Sequence, residues 1–481
     1  MTKGGTAHRV YSVVVFVILA SLDNVAIGLV PPLYNKISTA LDVPAALIGV
    51  VTAVSFLVSA IAAVGWAYVG DRTHRKPILM LGTLIWAAGT LGTGLSGNYL
   101  AFFAAQMLAA VGLGAVGSVG FSVVSDLIAP RRRGLVMSFW GLAQGIGTLA
   151  GGLLGGLLGA TDWRRPFFVL TAIGLVATLA YGFTSAIRRG QAEPELAQLY
   201  AAGGEYDYRI SRADLKGIVR RRTNVWLVLQ GFLAQFAFGS LVWLPVLYQE
   251  KAENLGFAEA PAIQIGALFA TLLQVGGVLS IVGGMVGDRV QRRRPGGRAL
   301  VAAVGVLAAV PFYLVLFFMP LRIDAPPDAG TGQVVSAVLS SVVTEPTVGF
   351  GFLIATLALA LTSTNAPNWF ALVSDVNPPE HRGTVYSLVN LVNGAGRFGG
   401  NSLTGVLARA LAGPFPAPAN YAIALTVFQL FFIPTGAAFL AAARSSPKDI
   451  ADLHETLRER AEQSPVSGSE SGSPAGRAAG P

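Results

Sequence analysis

Residues 67–79 read AYVGDRTHRKPIL: a Gly-Asp-Arg ends a long apolar run and is followed at once by basic residues. A near copy, GMVGDRVQRRR, stands 217 positions further on at residues 284–294. A chain that repeats such a junction is built from two copies of one unit. A second repeat agrees. Ser125-Asp126 and Arg133-Gly134 match Ser374-Asp375 and Arg382-Gly383 at an offset of 249, and the same offset pairs Ser138 with Ser387, Gly145 with Gly394, Gly147 with Gly396, Gly151 with Gly400 and Gly156 with Gly405. The growth of the offset from 217 to 249 means that the second unit carries an insertion. Residues 324–346, rich in Pro, Gly and Ser, are its natural home, as an extended loop or a short surface element.

Around these junctions the chain is 53% hydrophobic and only 12% charged over 481 residues, too apolar for a soluble protein whose surface must meet water. A bilayer core of about 30 Å takes roughly 20 apolar residues per helix. Twelve such runs lie near 10–33, 44–70, 77–96, 98–126, 134–160, 164–188, 223–249, 260–287, 298–320, 346–376, 383–412 and 417–443. The spacing predicts an all-α membrane protein with twelve transmembrane helices in two six-helix halves, 1–188 and 223–444, joined by a polar linker at 189–222 and followed by a tail at 445–481. In the tail, Ser446-Pro447-Lys448-Asp449 reads as a helix N-cap with Pro at the first position. It predicts a short helix to about residue 463, then a disordered Ser/Gly/Pro segment.

The net charge of +9 has its reason in topology rather than in nucleic acid. With both termini cytoplasmic, Lys36, Arg164, Arg165, Lys251, Arg322 and Arg409 fall on the outer side, Arg397 falls inside a helix, and the remaining Lys and Arg stay inside, the positive-inside bias. Arg220-Arg221-Arg222 in the linker either signal that topology or touch anionic lipid. The first run lacks a small-residue cleavage site and reads as a retained span. Cys is absent, which removes disulfide and thiolate chemistry. The four histidines, at 8, 74, 381 and 454, lie outside the apolar runs. With no metal cluster, nucleophile–base pair or phosphate loop legible, the chain reads as no enzyme, with no cofactor and no metal.

The Gly-Asp-Arg junctions resemble the G-x-L-A-D-R-x-G-R-R signature of the major facilitator superfamily, with Ala67 and His74 in place of two of its glycines. The resemblance implies parallel six-helix halves with the substrate site at their interface, worked by alternating access. Finer features are similar to the Spinster-like branch, whose members are associated with lysophospholipid and sphingolipid export. These are Gly82, Trp86, Thr90 and Gly94 in the third run, Asp23 in the first, Trp163-Arg164 before the sixth and Trp243-Leu244-Pro245 in the seventh. The chain departs from the branch at Asn24, where an arginine is expected, and at Ala115, where a glutamate is expected. The glycines from Gly147 to Gly156 resemble a motif of drug–proton antiporters, with Gly152 for its proline; glycines so spaced equally let helices pack closely.

Several polar residues are candidates for the site. A carboxylate such as Asp23 in mid-helix costs about 2.5–3.5 kcal/mol on insertion scales; either it bonds a neighbouring helix or, with Asn24 beside it, it binds substrate or a proton. Ser387, Asn390, Asn393, Arg397, Asn401 and Thr404 recur at steps of three and four, so one face of the eleventh helix is polar. Their counterparts in the fifth, including Gln144 and Thr148, are small and uncharged. An arginine inside a membrane needs an anion or water: Arg397 pairs with Asp23, receives an anionic substrate group, or serves structure alone. Gln106, Gln230, Gln235, Trp243, Asn365, Asn368 and Trp369 complete the expected cavity lining.

For the gates, the resemblance implies that Asp71, followed by Arg72, faces the turn after Arg382-Gly383 at the start of the eleventh helix, where unpaired N–H groups and the helix dipole favour an anion. The repeat puts Asp288, followed by Arg289, against the turn after Arg133-Gly134. Arg75 or Lys76 would then pair with Asp126, and Arg292 or Arg293 with Asp375; charges kept only for topology are the other reading. The expectation is a monomeric multi-pass protein of the bacterial cytoplasmic membrane, a secondary transporter that moves, with protons, a small amphipathic substrate bearing an anionic or zwitterionic head, such as a lysophospholipid. A multidrug–proton antiporter, or a receptor or scaffold that transports nothing, are the alternatives.

Overall fold

The computed structural model describes residues 6–70, 73–120, 133–184, 221–377 and 379–463, and every regular element among them is helical. The first half runs through α1 (Thr6–Leu29), the short α2 (Tyr34–Ala40), α3 (Ala45–Gly70), α4 (Arg75–Leu95), α5 (Tyr99–Ala115), α6 (Arg133–Gly159) and α7 (Arg165–Gly182). In the second half several spans are broken pairs: α8 (Arg222–Ser240) with α9 (Leu244–Asn254), α10 (Glu259–Leu272) with α11 (Ser280–Arg293), and α14 (Pro346–Thr362) with α15 (Asn365–Val376). α12 (Gly297–Leu316) and α16 (Pro379–Leu411) cross singly, and α17 (Ala419–Gln429) leads into α18 (Phe432–Gln463). Eight of these spans are long and apolar enough to cross a membrane by length and composition among the described residues, and the twelve-span arrangement in two halves is the one that the two sequence repeats predict. The breaks fall where backbone donors are missing or glycines relax the helix: a 3-10 turn at Leu241–Trp243 precedes Pro245, and another at Val275–Leu279 contains Gly276 and Gly277.

The repeated glycines do one job twice. A Cβ on Gly147 would stand 2.9 Å from the Ser21 carbonyl oxygen, and one on Gly151 2.0 Å from that of Val25, so α6 lies directly on α1. At the repeat positions, Gly396 and Gly400 of α16 lie against the Phe232 and Phe236 carbonyls of α8 at 2.5 and 2.4 Å by the same measure. Glycine-lined seams of this kind exchange side-chain volume for backbone approach, which is the close-packing reading of the Gly147–Gly156 pattern. Gly82 is likewise spent on packing, against Ala115 of α5.

Two segments resolve otherwise open readings. The insertion in the second half includes a helix, α13 (Thr331–Thr344), started by Gly330 with Gln333 reaching back to its N–H. The tail does not restart at Ser446: α18 continues through Pro447 without a break, contrary to the expected N-cap. The carbonyl that Pro447 leaves without a donor, that of Ala443, lies against Gly296, whose φ of +84° and lack of Cβ allow the approach. Asp449 further along α18 accepts the Thr223 N–H at the start of α8, which ties the helix to the bundle.

The halves meet through α3 on α16 and α6 on α10. Their contacts gather toward one end: Gly49 and Phe56 of α3 face Trp243 and Arg397, Ala60 faces Gly394, and Gly156 faces Ala267. Toward the other end Ile61, Val64 and Tyr68 of α3, Ile146 of α6 and Met285 of α11 are exposed, and Cβ atoms on Gly65 or Gly145 would meet nothing within 4 Å. The molecule is closed at the end of α2 and α9 and open at the end where α8 starts and α11 finishes.

Candidate functional site

The closed end is sealed by an amide and an indole. Asn401, fully buried on α16, donates from Nδ2 to the Gly49 carbonyl of the opposite half at 3.1 Å and lies 3.5 Å from the Tyr34 hydroxyl. Its Oδ1 accepts the Trp243 Nε1–H at 2.8 Å. Tyr34 meets the Trp243 ring edge-on at 4.8 Å between centroids. Gly49 and Gly405 both leave room for that ring. Above the plug, Asn35 donates to Glu250 at 2.9 Å and Lys36 pairs with Glu259 at 2.5 Å, each bond crossing between halves. Trp243 and Asn401, expected in the cavity lining, are therefore parts of the seal, because their polar atoms satisfy each other and the Gly49 backbone.

One turn toward the open end from Asn401 on α16, the arrangement changes from satisfied to unsatisfied. Arg397 lays its guanidinium over the Phe56 ring of the first half, 4.8 Å from the centroid. Its Nε is buried and has no hydrogen-bond partner among the described residues. A further turn back, Asn393 Oδ1 is buried without a donor among the described residues, and so is Gln235 Oε1 on the facing helix α8. Buried polar atoms are nearly always partnered, so a donor and two acceptors left open at neighbouring levels of one helix pair mark a place prepared for a polar guest or water. Asn390, still closer to the open end, is exposed. Thr404, at the opposite end of the stripe, is satisfied by the Gly400 carbonyl.

The other expected lining residues are mostly structural. Asn368 is buried and donates to the Gly283 and Thr364 carbonyls, and Trp369 donates to the Leu227 carbonyl at 3.4 Å. Gln230 donates to Asn365 Oδ1 at 3.3 Å, joining α8 to α15. Gln106 donates to Thr93 at 3.1 Å and faces a space within the first half. Asn24 lies against Gly147 in the α1–α6 seam. Trp163 sits in an aromatic cage with Phe102 and Phe167, while Arg164 donates to the Ser96 carbonyl at the end of α4. The side chains of Asp23 and Gln144 lie outside the described residues.

At the open end the pairing differs from that expected. Arg298, in the first turn of α12, bonds both Asp288 of α11, at 2.8 Å, and Asp375 of α15. Arg292 and Arg293, the expected partners of Asp375, are exposed, as is Arg289. The reason is position: Arg298 follows the tight turn at Gly296 and stands between the two carboxylates, whereas Arg292 and Arg293 end α11 pointing away. Asp288 is thus engaged within its own half rather than against the start of α6. Lys76, expected opposite Asp126, donates to the Gly182 and Thr184 carbonyls at 2.7 and 2.6 Å and caps the end of α7. Asn224 and Asn377 exchange amide bonds at 2.7 and 2.8 Å, and Arg221 caps the Val376 carbonyl, so α8 and α15 are knitted at this end. Sequence reasoning missed Arg298, Asn224 and Asn377; the signal for Arg298 was a basic residue just past a Pro-Gly-Gly turn. Asp71, Arg72 and Asp126, and the side chains of Arg133 and Arg382, lie outside the described residues.

A profile described as Major Facilitator Superfamily matches residues 14–401. "Protein spinster homolog 3" of Danio rerio is 24% identical over 263 residues, covering 52% of this chain and 51% of the relative. "Sphingosine-1-phosphate transporter SPNS2" of Danio rerio is 28% identical over 293 residues, covering 57% and 55%. The chain spans about half the length of these curated relatives. Among solved structures, a bacterial homolog of the human lysosomal transporter Spinster, inward-facing and unoccupied, superposes with a TM-score of 0.72 at 18% identity, over 93% of this chain and 99% of the other.

Proposed function

The chain belongs to the Major Facilitator Superfamily, and from that premise we propose that it is a secondary transporter of anionic or zwitterionic amphiphiles of the lysophospholipid kind. The observation that carries this reading is Arg397: a guanidinium in the plane between the halves, stacked on an aromatic ring and lacking an acceptor for its buried Nε among the described residues. A charge so placed is costly unless an anion meets it, and the planar fork of arginine matches a phosphate or carboxylate in two bonds. Asn393 and Gln235 offer acceptors nearby, which suit the ammonium or hydroxyl groups of a zwitterionic or polyol head. The relative named for sphingosine-1-phosphate transport fits the same chemistry.

The open end is the cytoplasmic one in this reading, because Arg221, Arg222, Arg289, Arg292 and Arg293 cluster there. A head group enters from that side, meets Arg397, and is carried across as the halves rock about the α3–α16 and α6–α10 contacts. Asp23 is the proton-binding acid that couples the cycle to the proton gradient.

Reconstituted protein tests this reading by flux. Under an imposed pH gradient, proteoliposomes should move a labelled lysophospholipid faster than protein-free vesicles, and Arg397→Ala should lose the flux. Equal flux in wild type and Arg397→Ala, or transport of cationic drugs with no lysophospholipid flux, would overturn it; the second result would establish the drug antiporter instead.

A further inference from the structure

A second space, separate from the seam between the halves, lies inside the first one. It is a partly open cavity of about 120 Å³ lined by α1, α3, α4, α5 and α7. Most of its wall is apolar, with Ala109, Leu113 and Leu170 among its members, while Ser55 and Ser59 line one side. One observation ties it to the arginine site. Phe56, whose ring carries the Arg397 guanidinium, is also part of the cavity wall, so only one side chain separates the charge from the space. Trp86, another wall residue, has its Nε1–H buried without an acceptor among the described residues.

We infer that this cavity is the chain-binding subsite of the transporter: it receives the first segment of a single alkyl or acyl chain whose anionic head rests on Arg397 beyond Phe56. The assignment rests on the anionic-amphiphile reading for the identity of the head. An apolar cavity of about 150 Å³ is known to hold a benzene molecule, so this one takes a segment of about five carbons.

The probe is a series of n-alkyl phosphates from butyl to dodecyl, with binding measured on the full-length protein in nanodiscs. Affinity should rise about fourfold per added methylene and level off once the cavity is filled. Ser55→Leu, which fills part of the space from a half-buried position and loses only an intrahelical bond to the Val51 carbonyl, should bring the levelling point in by about two carbons. Leu113→Ala should move it out by about three. Opposite shifts in the two variants support the cavity, and a general loss of stability would not produce them. An unchanged levelling point in both overturns it. Arg397→Ala separates the two readings: if it leaves affinity intact while the levelling point still shifts, the anion reading fails and the subsite stands. If it weakens every chain length equally while neither cavity variant shifts the levelling point, the subsite fails and the anion reading stands.

Discussion

Arg397 stands where a single charge decides between two uses of a membrane cavity. Its cation–π contact with Phe56 contributes about 0.5–2 kcal/mol, too little to offset burial of a guanidinium, so the remaining stabilisation has to come from water or, when substrate is bound, from its anion. Arg397→Lys keeps the charge and loses both the fork and the ring stacking; substrate binding should weaken about tenfold, and about a hundredfold in Arg397→Ala, consistent with charge-assisted bonds of about 1.5–3 kcal/mol. Equal affinities in all three proteins would remove Arg397 from the site. Asp23 poses the complementary question of coupling. Asp23→Asn should abolish uphill transport driven by a pH gradient while substrate exchange at equal pH persists, since the amide cannot carry the proton; uphill transport at the wild-type rate would remove Asp23 from the coupling.

Among the elements, the outcome at each helix end depended on what the packed neighbours offered. The polar stripe of α16 was legible as a periodicity, but its division was not: Asn401 spends its amide on Gly49 and Trp243, while Arg397 and Asn393, one and two turns away, keep open atoms. Nothing in the spacing distinguishes these, because the difference lies in which backbone carbonyls of α3 come within reach. The same holds for Arg298. Sequence repeats pointed to Arg292 and Arg293, yet the left-handed turn at Gly296 delivers the next basic residue to Asp288 and Asp375. Arg298→Ala leaves those two half-exposed carboxylates without a cation and should lower stability by about 1–2 kcal/mol, whereas Arg292→Ala and Arg293→Ala should stay within about 0.5 kcal/mol of wild type. Thermal melts of the three proteins decide it, and equal losses would restore the expected pairing. Asn401→Ala should loosen the closed end by about 1–2 kcal/mol, the value of its lost bonds. A cysteine at Thr52, buried on α3 within one turn of Gly49 in this cysteine-free chain, should then react about tenfold faster with an impermeant maleimide supplied from that end; an unchanged rate would show that the plug does not hold the end shut.

At the scale of the molecule, the repeats at offsets of 217 and 249 carried the architecture, since they tie α3–α4 to α11–α12 and α6 to α16. What they leave open is the state. Closure at one end rests on the Asn401–Trp243 plug more than on the Lys36–Glu259 pair, whose half-exposed carboxylate limits it to about 0–1 kcal/mol. Such a closure is light enough for bound substrate to shift, as alternating access requires. The most direct test uses spin labels on the cysteine-free chain. One pair replaces Tyr68 and Arg292, exposed at the open end; the other replaces Gly97 and Gly413 at the closed end, where a Cβ meets nothing within 4 Å. With a saturating lysophospholipid, the distance between 68 and 292 should gain a shorter population while that between 97 and 413 gains a longer one, in matching proportions. Distances that stay fixed at both ends, or that lengthen or shorten together, would contradict transport by alternating access.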